Sequence, residues 1–165
     1  MHAHGQPWAR LLLIGALLML ARASVAAQSQ IAIITSPDGP QLTLDQTTVR
    51  NVYLKKIFVD GQGRRLTPVN LPSSAPLREA FSRAVLHMDG VQLQDYWDQQ
   101  YFQGVSPPYV LGSPDAVVRF VATTPGAIGY VASCQVDASV RVAFTITLPA
   151  HAADDLPACP EHPAP

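Results

Sequence analysis

Only two cysteines, Cys134 and Cys159, occur in the 165 residues. That is too few for a disulfide scaffold or a cysteine-built metal centre, and no CxxC pair is present. Histidine is sparse as well. Beyond the N-terminal segment there are His87, His151 and His162, with no ligand spacing between them. There is no G-x-S-x-G elbow to present a nucleophilic serine. Catalysis and metal binding therefore have little to rest on, and no cofactor is implied. No apolar run reaches the roughly 20 residues of a membrane-spanning helix. An excess of positive charge is missing too, which excludes a nucleic-acid binder by composition.

The longest apolar run, Leu11–Leu20, lies near the N-terminus. Arg10 precedes it, and Ser24-Val25-Ala26-Ala27 supplies small residues for cleavage. Residues 1–27 read as a secretory signal peptide, and the expected location is periplasmic or secreted. No cysteine follows the apolar run, so a lipid anchor is not expected. Removal of the leader takes away Arg10 and Arg22 and leaves nine basic against twelve acidic residues, a net charge of −3. Residues 28–148 are long enough for one domain with its own core. Residues 149–165 hold Pro149, Pro157, Pro160, Pro163 and Pro165, carry no pattern, and are expected to be a loose tail. In an oxidising compartment a Cys134–Cys159 bridge is open to this chain. It would tie the tail to the body and contribute about 3 kcal/mol.

The chain then alternates strand and helix signals. "QIAIIT", 30–35, reads as a buried strand. Thr43 and Gln46 have capping-box spacing, with Val49, Val52 and Tyr53 following at helical spacing, so a helix is expected over 44–54. "LTPVNL", 66–71, reads as a short strand, with Pro68 at its start or on an edge. From Ser74, the residues Leu77, Ala80, Phe81, Ala84 and Val85 form one apolar stripe of a helix. Asp89 and Gln92 cap the next helix, on which Leu93, Trp97 and Tyr101 share a face. Ser113-Pro114-Asp115 starts a short helix to about Ala122. "TTPGAIGYV", 123–131, carries a Pro-Gly turn into a strand. "VRVAFTITL", 140–148, alternates Val142, Phe144 and Ile146 on one side. This order predicts an α/β layered domain with one small sheet.

One local feature suggests binding. In "NLPSSAPLREAF", 70–81, a strand runs through Ser73-Ser74 into a helix start, where free amides and the helix dipole favour an anion. The simpler reading is that Ser74 only caps the helix. Seven of the nine basic residues fall within 50–83: Arg50, Lys55, Lys56, Arg64, Arg65, Arg78 and Arg83. They make either a solvated face or a rim that faces an anion.

Three segments together, "LTLDQTTVRNVYLKKI", "PVNLPSSAPLREAF" and "TTPGAIGYV", resemble the phosphate-binding substrate-binding proteins of ABC importers. The resemblance covers about residues 30–135 and implies one lobe of the type II periplasmic-binding-protein fold, a small mixed sheet flanked by about four helices. It implies a small anion such as phosphate, held weakly at Asn70, Ser73, Ser74, Ala75, Leu77 and Arg78, and no enzyme activity. Asn70 stands where the family has an arginine, Ala75-Pro76 where it has Gly-Thr, and Lys55 where it has glycine. Pro76 removes an amide, and asparagine cannot replace a bidentate guanidinium. Two roles follow as expectations. One is an anion-binding module, completed by a second copy in a homodimer or by a partner. The other is a non-catalytic interaction module that kept the fold and lost the ligand, docking a membrane transporter or sensor.

Overall fold

The computed structural model describes residues 29–149 and Leu156. The expected signal peptide and most of the proline-rich tail lie outside the described residues. So does Cys159; Cys134 is disulfide-bonded.

The described residues form five strands and four α-helices. They are β1 (Gln30–Thr35), α1 (Gln46–Tyr53), β2 (Thr67–Asn70), α2 (Pro76–Phe81), α3 (Gly90–Tyr101), β3 (Tyr109–Val110), α4 (Pro114–Thr123), β4 (Ala127–Ala132) and β5 (Arg141–Thr147). The order follows the sequence reading except for β3, a two-residue strand the sequence did not signal. The sheet order is β3-β2-β4-β1-β5. β1 runs antiparallel to β4 and β5, while β2 runs parallel to β3 and β4, so the sheet is mixed. The unbroken apolar run of β1 fits its central place: every residue from Ile31 to Thr35 is buried. The core gathers around β1 and β4 and includes Leu156 from the C-terminal segment.

Several local expectations change. The α1 cap is Asp45, whose Oδ1 accepts the Thr48 amide at 2.6 Å, so the Thr43–Gln46 box does not form. Gln46 instead donates to the Ala84 carbonyl at 2.8 Å. α2 starts at Pro76 with Ala75 as its cap residue, so Ser74 is not the cap. After Phe81 the helix widens into a π-turn, Ser82–Leu86, and stops at His87 in the left-handed region. Pro68 lies in a strand with neighbours on both sides, yet pairing with β3 begins only at Val69. Beside Pro68 the sheet is therefore locally open, which accommodates the missing N–H. The β5 alternation fails because a bulge shifts the register between Ile33 and Ile34 of β1, and Val142 is turned out to solvent. On α3 the expected face runs out of the core: Leu93 is buried, Trp97 half-buried and Tyr101 exposed. The capping boxes are uneven, since Asp89–Gln92 forms in both directions at 2.9 and 3.0 Å.

Gly129 answers to helix packing. A Cβ there would lie 2.5 Å from Val117 Cγ1 and 2.9 Å from Val121 Cγ2, so its hydrogen lets α4 sit close on β4. α1 ends in a Schellman motif: the amides of Lys55 and Lys56 return to the carbonyls of Val52 and Asn51 at 3.1 and 2.8 Å. Lys55 holds the left-handed position of that motif, with φ +56°. Glycine suits this position without the Cβ penalty. Lys55→Gly is therefore expected to stabilise the protein by about 1 kcal/mol. A urea midpoint that moves up without a change in slope would show it.

Candidate anion-binding site

The C-terminal end of β2 delivers Asn70, Leu71, Pro72 and the two serines to the start of α2. Asn70 itself is buried. Its Oδ1 accepts the Tyr130 hydroxyl of β4 at 3.2 Å, and that hydroxyl accepts the Leu71 amide at 3.4 Å. Tyr53 of α1 stands alongside, its hydroxyl shared between the carbonyls of Val69 at 3.0 Å and Ile128 at 3.1 Å. Phe81 stacks on Tyr130 with ring centroids 4.0 Å apart and meets Tyr53 at 4.7 Å. These three rings bind α1 and α2 to the sheet beneath the candidate site. Burial pushes the Tyr130 phenol up to about 12 and raises Tyr53 well above its ordinary value. Both are neutral hydrogen-bonding groups at physiological pH.

Arg78, on the first turn of α2, lies next to this aromatic group. Its charge pulls both phenols down against the larger effect of burial, and for Tyr130 a side-chain hydrogen bond from Arg78 adds in the same direction. Its Nη1 is nevertheless buried without an acceptor in hydrogen-bond geometry. Leaving such a donor unpaired costs on the order of 1–3 kcal/mol. The amides around it are mostly used. The Ala75 amide bonds the Pro72 carbonyl at 3.0 Å, and the amides of Arg78 and Glu79 both bond the Ala75 carbonyl. Pro76 has none, which leaves Leu77 in the first turn.

A cavity of about 340 Å³ opens between α2 and α3. Ser73 and Arg78 both line it, with Ser82, Asp89, Leu93 and Trp97 among the other walls. The structure thus brings together two of the six residues singled out in the sequence. Asn70 is held in the core by Tyr130, Leu77 is buried, and Ser74 and Ala75 lie off the cavity. Trp97 joins the site from α3. The sequence placed it on a core stripe, and only the packing of α3 beside α2 turns it to this use. The basic residues of 50–83 do not gather here. Arg64 pairs with Asp60 at 2.8 Å, Arg83 with Glu79 at 2.6 Å, and Arg50 Nε donates to the Leu86 carbonyl at 3.2 Å. Among the described residues no helix is long and apolar enough to cross a membrane, and no group of three or more His, Cys, Asp or Glu could hold a metal ion.

This sheet, with its crossovers on either side, has the fold of a periplasmic binding protein. Solved structures that share it include proteins of phosphate transport. An ABC-type phosphate transport receptor from Vibrio cholerae superposes with a TM-score of 0.57 at 19% identity, covering 68% of this chain and 44% of that one. A phosphate-bound structure from Clostridium perfringens gives 0.57 at 20% identity, covering 69% and 44%. PstS from Borrelia burgdorferi gives 0.50 at 16% identity, covering 64% and 41%. The chain therefore spans less than half the length of these proteins. No protein-family model matches the sequence, and no curated protein does.

Proposed function

We propose that the protein is an exported, non-catalytic binding module that holds a phosphate-like oxyanion between Ser73 and Arg78. The observation that carries this reading is Arg78. It is a cation on a cavity wall, with one buried donor unpaired and a serine hydroxyl on the same wall. An oxyanion seated there gives Nη1 the acceptor it lacks, through a charge-assisted hydrogen bond. The solved structures from ABC-type phosphate transport support an importer as the recipient. A membrane sensor and a second copy of the chain that closes the site are the other partners this reading allows.

A ligand that binds only the folded state raises its stability by about 2.7 kcal/mol at one hundred times Kd. Phosphate is expected to raise the melting temperature in a saturable way. Ser73→Ala should weaken that effect several-fold, as expected for loss of one hydrogen bond of about 1 kcal/mol. Ser74→Ala should leave both the effect and the unliganded stability within about 0.5 kcal/mol, because Ser74 is exposed and caps nothing. Equal responses of the two variants would move the site away from the cavity.

A second reading has its own support. Tyr101, Phe102 and Tyr109 are 72%, 88% and 74% exposed around the end of α3 and the sheet edge. Exposed aromatic side chains of this kind suit a protein contact. A flat response to anions, with concentration-dependent sedimentation that a Phe102→Ser change removes, would favour the interaction module.

A further inference from the structure

We propose that the cavity between α2 and α3 takes a small organic phosphate ester in preference to inorganic phosphate, with the ester's organic group engaged by Trp97. The proposal rests on the anion-binding reading above. Three observations carry it.

The first is size. A water molecule's share of liquid volume is about 30 Å³. A space of about 340 Å³ is thus on the order of ten waters, far more than a bare tetrahedral anion fills. It falls within the range of pockets that hold small organic molecules.

The second is the pair of unused donors. Arg78 Nη1 and Trp97 Nε1 are both buried without an acceptor, and both residues line this cavity. A buried indole N–H ordinarily finds a partner. One tetrahedral anion on Arg78 leaves the indole unserved, whereas an ester carrying a further acceptor on its organic group can serve both.

The third is the character of the remaining wall. Leu93 and the Trp97 ring offer apolar surface for a ligand body. Two carboxylates, Glu79 and Asp89, line the same cavity, and each already has a partner. Asp89 accepts the Gln92 amide as the cap of α3, and Glu79 pairs with Arg83 at 2.6 Å. Arg78 is the cationic side chain on this wall, and the phosphate group goes to it.

The test compares 4-nitrophenyl phosphate with inorganic phosphate by calorimetric titration of the wild-type protein and of Trp97→Phe. The ester supplies a planar body and nitro oxygens as acceptors. In the wild type it is expected to bind about tenfold more tightly than phosphate. Trp97→Phe keeps a ring and removes the N–H. It should weaken the ester roughly fivefold, the value of one hydrogen bond, and so narrow the ester's advantage over phosphate. Its unliganded melting temperature should hold within a few degrees, because the lost N–H had no partner. Phosphate binding as tightly as the ester would overturn the inference, as would an unchanged ester affinity in Trp97→Phe; either result leaves the anion site standing. Failure of both ligands to bind would remove the anion site together with the inference.

Discussion

Gly126→Ala is expected to destabilise the protein by about 3 kcal/mol or more, the largest effect expected at any described glycine. Two costs combine. The backbone at Gly126 has φ +86°, a conformation that a side chain makes strained. A Cβ there would also lie 2.4 Å from the Arg65 carbonyl oxygen, and that neighbour is backbone with little room to give. The consequence reaches the sheet. The Gly126 carbonyl accepts the Thr67 amide at 2.8 Å, immediately before Thr67 pairs with Ala127. Moving residue 126 thus loosens β2 from β4, and β2 is the strand that delivers the candidate site. Urea unfolding measures the loss. Gly61→Ala is the control: its φ is ordinary and no atom lies within 4 Å of the added Cβ, so a change of under about 0.5 kcal/mol is expected.

Tyr130→Phe is expected to cost about 2–3 kcal/mol although it removes one oxygen atom. The ring and its stack on Phe81 remain. What is lost is the acceptor of the Leu71 amide and the donor to Asn70 Oδ1, both in the buried layer beneath the cavity. The pH dependence gives a second readout. A phenol whose pKa is raised on folding favours the neutral form in the native state. Its contribution is complete below the ordinary value of 10.0 and is lost as pH rises toward about 12. Wild-type stability should therefore fall steeply over that interval, with Tyr53 adding in the same direction. The variant should fall less steeply. Parallel alkaline limbs for the two proteins would mean that the Tyr130 hydroxyl is not the buried group assigned here.

Much of this architecture was legible in the residues themselves. β1 and α4 follow their sequence signals closely, because an unbroken apolar run and a Ser-Pro-Asp start each leave few alternatives. The resemblance to phosphate-binding proteins rested on three segments in register, and the fold agrees with it. Where local reading failed, a distant partner decided. Gln46 left its capping box for the Ala84 carbonyl, 38 positions away. Val142 was turned outward by a bulge that only the pairing with β1 creates. β3 has two residues, too few for any alternation to register. The candidate site shows the same division. Ser73 and Arg78 could be picked out as a serine-rich helix start followed by a cation. The sequence could not show that Tyr130 occupies Asn70, or that α3 would bring Trp97 to the same cavity. Both depend on contacts between elements far apart in the chain. In "TTPGAIGYV" the glycine of the Pro-Gly turn makes a backbone turn against Arg65, while the second glycine lets a helix pack on the sheet.

The measurement that bears most directly on the central claim is a phosphate titration of the wild-type protein beside Arg78→Met, followed by melting temperature in low and in moderate salt. Methionine keeps much of the arginine stem's packing and removes the guanidinium. The account predicts a saturable rise in the wild type that survives moderate salt, since a partly buried pair is screened much less than an exposed one. It predicts no rise in Arg78→Met at the same concentrations. A wild type that does not respond, or a variant that responds equally, would contradict the assignment of an anion site to this cavity.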